Sequence, residues 1–154
     1  MQPIKTLKKM KKLLVLLFVL SVISCKNTAT KQKENSNKDL GKNRIEVLDF
    51  YGKHRCVSCL NIERNTKATL KKHFQKEMDN GIISFKMVQW DDPKNDALVN
   101  KYQAAGTSLI IHTIANGKET INDISDFAFK KSDKDAVFET ELVKKINNAL
   151  ALVK

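Results

Sequence analysis

Hydrophobic and polar positions fall along this chain in blocks of distinct period, and each block predicts an element. Leu13–Leu20 (LLVLLFVL) is an uninterrupted apolar run that reaches Ile23 with only Ser21 intervening. Lys26–Arg44 is polar and Lys/Asn-rich, too poor in large apolar side chains to offset the entropy of ordering it. Ile45–Tyr51 (IEVLDFY) reads as a strand ended by Gly52. Cys56–Met78 then takes a helical period, with Ile62, Leu70, Phe74 and Met78 on one face, Thr66 between them, and Asn80-Gly81 as the stop. Ile82–Trp90 (IISFKMVQW) reads as a second strand, apolar enough on both sides to be central in a sheet. Asp91-Asp92-Pro93 breaks it and opens a helix over Lys94–Gln103 that would bury Ala97, Leu98 and Tyr102. Gly106 precedes a third strand, Leu109–Ile114, and Asn116-Gly117 is a two-residue hairpin signal that returns Lys118–Ile121 antiparallel. Ser132, with Asp135 three residues on, would cap a last helix whose apolar row is Phe138, Leu142, Ile146, Leu150 and Val153.

The order is β-α-β-α-β-β-α, an α/β fold with a central mixed sheet. Its first three strands, each separated by a helix, are expected to be mutually parallel, with the hairpin as an antiparallel edge and helices on both faces. No internal repeat is visible, and 45–154 leaves room for a single domain.

Charge changes that picture only at the N-terminal end. The chain carries 28 Lys+Arg and 17 Asp+Glu, a formal charge of +11. Residues 45–154 hold 17 basic and 15 acidic groups, so the domain itself is nearly neutral, which argues against a nucleic-acid partner. Met1–Lys12 is basic, the apolar run follows, and small residues lead to Cys25. That is the order of a secretory signal peptide over 1–24, and the apolar stretch is shorter than the ~20 residues a spanning helix needs. Val22-Ile23-Ser24-Cys25 resembles a bacterial lipobox, which implies lipidation at Cys25, export, and a lipid anchor in a bacterial membrane, facing the periplasm. Residues 25–44 would then be a flexible tether. An ordinary signal peptide with an incidental Cys, and a basic interaction arm, are the competing readings.

Cys56-Val57-Ser58-Cys59 is the candidate chemistry. It falls between a strand and a helix, where unpaired N–H groups and the positive end of the helix dipole lower a thiol pKa. Lys53, His54 and Arg55 immediately upstream add charge that would tune the thiolate. Cys56, at the exposed helix start, would attack, and Cys59, one turn inside, would resolve the mixed disulfide. Two other readings stay open. A CxxC is half a zinc site, but zinc takes four ligands, and the domain adds only His54, His73 and His112, at no zinc-finger spacing. A structural disulfide is the other, although so short a loop constrains the unfolded chain little.

Val47–Tyr51 followed by Cys56–Cys59 resembles the strand-to-active-site run of the thioredoxin superfamily, and Lys101-Tyr102-Gln103 with Gly106-Thr107-Ser108-Leu109 resembles the segment leading into its third core strand. The resemblance covers 45–122, and the last helix in type only. FYGKHRCVSC, AGTSLII and DISDFAF further resemble small thioredoxin-like lipoproteins of the ArsF family, also described as nitrophenyl compound nitroreductase subunits; no flavin-binding or nitroreductase-like constellation accompanies them here. The superfamily implies a thioredoxin-like fold, no cofactor beyond a redox-active Cys56–Cys59 disulfide, and no metal. It implies Asp49 as the buried carboxylate that accepts the second thiol's proton, although one extra residue separates Asp49 from Cys56. A strand-end Asp bonded to a turn is the other account of Asp49. Thr107 and Ser108 would line the substrate groove, with Ser108 where thioredoxins place a cis-proline, so a trans bond is expected. Arg55 stands where a Trp is common.

The function implied is a membrane-tethered thiol–disulfide oxidoreductase with a protein dithiol or disulfide partner and an upstream electron donor. A non-catalytic envelope adaptor and a metal-binding dithiol protein are the alternatives. The remaining singled-out residues have plainer roles: His73 at the surface, His112 in the sheet, Trp90 at the core rim, Tyr51 in packing, Asp91-Asp92 in a turn.

Overall fold

The computed structural model describes residues 42–154; the signal-peptide segment, Cys25 and all but the last few residues of the tether lie outside the described residues. The first strand, β1 (Arg44–Tyr51), organises the rest because both of its faces are buried. Ile45 and Val47 join the larger core, while Leu48 and Phe50 join a second core on the opposite face, as the two-residue period of a strand requires. It pairs in parallel with β2 (Ile83–Gln89), Ile45 opposite Ile83, and antiparallel with β3 (Ser108–Ala115), Phe50 opposite Ser108. β3 in turn pairs antiparallel with β4 (Lys118–Asp123), giving the order β2-β1-β3-β4.

Between β1 and β2 run α1 (Val57–His73) and the short α2 (Gln75–Asp79). α3 (Asp96–Tyr102), entered through a 3-10 turn at Pro93–Asn95, leads to β3. After the hairpin come α4 (Ser125–Lys131) and α5 (Asp135–Val153). The larger core joins Ile62 and Leu70 of α1, Ala128 of α4, and Phe138, Leu142 and Ile146 of α5 to Ile45, Val47, Leu109 and Ile111 of the sheet. Tyr102 and Ala104, with Leu98 and Val99 at the rim, cover Leu48, Phe50, Val88 and Ile110 on the other side. Helices therefore lie on both faces of a mixed sheet, as the periodicities require.

Several sequence expectations are corrected. β3 is antiparallel to β1 rather than parallel. α3 has only seven residues and rises ~10 Å, less than half the length of a strand of seven or eight residues at ~3.3 Å each. The chain thus enters β3 from the end where β1 and β2 finish. α1, with seventeen residues and ~25 Å of rise, does span the sheet, and its crossover is parallel. β2 is an edge strand, not a central one, because Ser84 and Lys86 are exposed. The continuous buried run of Leu109–Ile114 takes the inner place.

The helix read over Cys56–Met78 breaks at Phe74 (φ −131°) into α1 and α2. Ala97 is exposed, and Val99 packs in its stead. Ser132 does not cap α5. Its hydroxyl donates to the Phe129 carbonyl at 3.1 Å and closes α4, a seven-residue helix additional to those the periodicity predicts. Asp135 instead accepts from Arg64 Nη2 at 2.9 Å and Asn65 Nδ2 at 3.0 Å, joining α5 to α1. The hairpin stands as read: Asn116 and Gly117 have φ of 51° and 73°, the pair of positive values a type I′ turn demands.

Candidate active site

Cys56 ends the loop that leaves β1 at Gly52, and its extended backbone (φ −80°, ψ 165°) makes it the N-cap of α1. Its Sγ accepts the Cys59 backbone N–H at 3.1 Å, one of the donors every helix start leaves unpaired. The same sulfur is bonded to Cys59, with the two Cα atoms 5.1 Å apart. Cys56 is exposed, whereas Cys59 retains 6% of its surface. One cysteine of the pair is therefore open to solvent and the other is enclosed by the protein. Val57 and Leu60, exposed at 75% and 50%, stand beside them on the outer side of α1.

Cys59 is held from two directions. Thr107, just before β3, donates its hydroxyl to the Cys59 sulfur at 3.5 Å. Arg55 donates from Nη2 to the Cys59 carbonyl at 3.2 Å and from Nη1 to Glu63, which Lys67 also binds one turn further on. The Arg55 guanidinium lies 5.0 Å over the Tyr51 ring. Its Nε is buried and has no hydrogen-bond partner among the described residues.

Lys53 and His54 are exposed. The Lys53 backbone N–H donates to both Asp91 carboxylate oxygens, at 3.1 and 2.9 Å. That bond, with one from Gln89, holds Asp91 below the usual carboxylate range. Asp92 accepts from the Lys94 N–H and caps the 3-10 turn. Ser108 opens β3 with its hydroxyl on the Gly106 carbonyl at 3.2 Å. All described peptide bonds are trans, the Thr107–Ser108 bond included.

Asp49 has no exposed surface, and neither of its carboxylate oxygens has a hydrogen-bond partner among the described residues. It shares the face of β1 that Ile45 and Val47 turn toward α1. Burial pushes its pKa up to about 7; Arg55 pulls it down, Glu63 pushes it up and Lys67 pulls it down. A carboxyl in that state exchanges a proton near neutrality without a fixed partner to hold it. The turn-bonded Asp of the alternative reading does not describe it, since it bonds no turn.

Two features went unseen in the sequence. The Arg55–Glu63 pair spans eight positions, and the visible signal was only the Glu63/Lys67 spacing at i,i+4 on α1. On the opposite face, buried His112 has its Nδ1 2.8 Å from the Tyr102 hydroxyl and 3.0 Å from Glu46 Oε2, and its Nε2 3.5 Å from Glu119. His73 pairs with Glu139 at 2.8 Å on the surface. Among the described residues no group of three or more His, Cys, Asp or Glu converges as a metal cage would require, and no helix is long and apolar enough to cross a membrane.

Fold and site together define a mixed α/β domain with a CxxC-spaced disulfide at a helix start. No protein-family model, curated protein or solved structure matches the chain.

Proposed function

We propose that this protein is a thioredoxin-like thiol–disulfide oxidoreductase, anchored through a lipid on Cys25 to a bacterial membrane and working on its periplasmic side. The observation that carries the reading is the asymmetry of the pair, an exposed Cys56 at the start of α1 and a buried Cys59 one turn in. In the dithiol form, the Cys56 thiolate attacks a partner disulfide. One S–S bond forms, the partner's breaks, and a partner thiolate leaves. Asp49 takes the Cys59 proton, and the Cys59 thiolate attacks Cys56 Sγ. The internal disulfide closes, the partner departs with two electrons, and a second dithiol donor must reopen the pair. Run backward, the same steps oxidise a partner dithiol.

A Cys59→Ser variant of the full chain in its native envelope tests this. It should accumulate a thiol-reducible covalent partner that is absent from the Cys56→Ser, Cys59→Ser double variant. No adduct at Cys56, while the wild type cycles between its two states, overturns the reading.

One observation favours a second reading, a non-catalytic adaptor of an envelope redox system. The trans Thr107–Ser108 bond and Arg55 stand where the superfamily has cis-proline and Trp. A reduction potential below about −300 mV marks a disulfide that stays shut, and supports the adaptor.

A further inference from the structure

Arg55 is tied down more tightly than a residue of a connecting loop needs to be. Only 19% of its side chain is exposed. Tyr51 lies under it, the Cys59 carbonyl and Glu63 hold its two terminal nitrogens, and its third nitrogen is buried without a hydrogen-bond partner among the described residues. Among the described residues, Asp49 beneath α1 and Thr66 on it are buried and also lack a hydrogen-bond partner, and Asp49 faces no charge from the sheet, where its neighbours are Met87 and Leu109. The charges acting on it come from the loop, as Arg55, and from α1, as Glu63 and Lys67.

We infer that Arg55 is a positioning residue of the dithiol site, a clamped cation that keeps the Asp49 carboxylate ready to receive the Cys59 proton, with Glu63 opposing it from α1. The inference rests on the exchange reading and adds to it a control of the pH at which exchange runs. When Cys59 gives up its proton, Asp49 becomes a neutral acid and Cys59 a thiolate, so the negative charge moves from the carboxylate to the sulfur. Arg55 bonds to the backbone of that same cysteine, so its charge serves both ends of the transfer. Glu63 has two tasks with opposite electrical sense: it anchors Arg55, and its own charge disfavours the Asp49 carboxylate.

The opposite signs give a test that a merely structural role would not pass. The reduced full chain is mixed with oxidised glutathione across about pH 5 to 9, and closure of the Cys56–glutathione mixed disulfide by Cys59 is followed in wild type, Arg55→Met and Glu63→Gln. Gln keeps an acceptor for Arg55 but removes the charge. The closure midpoint should move up by roughly half a unit or more in Arg55→Met, and down in Glu63→Gln. Arg55→Lys should recover part of the first shift. The carboxyl carbon resonance of Asp49 should titrate with the same ordering, independently of any exchange.

Midpoints that coincide in a reactive wild type and its variants, or that move in the same direction, overturn the role of Arg55 alone. A wild-type dithiol inert to oxidised glutathione overturns the exchange reading. If Arg55→Met fails to fold, Glu63→Gln still decides, because a midpoint that stays or rises contradicts the inference.

Discussion

The Thr107 hydroxyl donates to the Cys59 sulfur at 3.5 Å, fastening the segment before β3 to the first turn of α1. In the disulfide this is a weak bond to a poor acceptor. When Cys59 becomes a thiolate to close the pair, the same hydroxyl faces a charged acceptor, and such bonds are roughly twice as strong. Thr107→Val keeps the shape and removes the donor. Closure of a Cys56–glutathione mixed disulfide should slow by roughly fivefold, the kinetic equivalent of about 1 kcal/mol, while Thr107→Ser should close at the wild-type rate. A valine variant as fast as wild type would show that the hydroxyl leaves the sulfur before the thiolate forms.

Asp49 should make the protein less stable as pH rises. Its folded pKa of about 7 lies above its ordinary 3.8, so between these values the folded state binds a proton that the unfolded state has lost. The stability from this group is fully present below about pH 4 and is lost as pH climbs through 7, by about 4 kcal/mol at most. Urea unfolding at pH 5 and pH 8 reads the loss, and Asp49→Asn should flatten it. Asp49→Leu should unfold later than wild type at pH 8, since it removes a buried charge with no hydrogen bond. An Asn variant with the wild-type slope would place the titrating group elsewhere.

Glu46 should act in the opposite sense on the other side of the sheet. The hydrogen bond between its carboxylate and His112 Nδ1 lowers its pKa; burial works against this, and Arg44 adds to the lowering, to reach about 2. A depressed carboxylate stabilises the fold above its unfolded pKa, and that stability is lost as pH falls from about 4.5 through 2, amounting to about 2–3 kcal/mol. Glu46→Gln should therefore cost stability at pH 6 and little at pH 2, as read by thermal unfolding at both. An equal cost at the two values would mean the side chain acts by packing alone.

The parts of this molecule that were legible in the sequence are those fixed by local pattern. Ile45–Tyr51 is a β-branched and aromatic run ended by Gly52, Phe138, Leu142 and Ile146 recur at helical spacing, and Asn116-Gly117 demands one turn type; all three are read from a few consecutive residues. The CxxC at a strand-to-helix junction was legible for the same reason, whereas its closure as a disulfide came only from the resemblance. Sheet order was not, because strand polarity depends on whether α3 is long enough to carry the chain back across the sheet. The short α4 has no clear periodic signal because Ile124 and Ala128 bury only a narrow stripe between exposed Asp126, Phe129 and Lys130. The partners of Arg55 and the solitude of Asp49 are tertiary facts, since each depends on which groups α1 brings above β1.

Gly52 makes the loop to Cys56 sensitive to a single methyl group. A Cβ there would stand 2.9 Å from Trp90 Nε1 and 3.3 Å from its Cε2. The indole lies over the glycine and packs on the core of Leu48, Phe50 and Val88, while its backbone N–H is fixed to the Tyr51 carbonyl at 2.9 Å. With the backbone held, the ring must yield to any added carbon. Gly52→Ala should cost about 1–3 kcal/mol by overpacking, seen as a lower urea midpoint with an unchanged slope. Trp90 is the protein's one tryptophan, so its emission reports this contact directly and should shift to the red as the ring turns outward. The same displacement loosens the seat of the loop that carries Arg55 and Cys56, so the variant should also close its mixed disulfide more slowly. An alanine variant with wild-type emission and midpoint would show that the indole has room to move, and that the loop owes its path to the Lys53–Asp91 bonds instead.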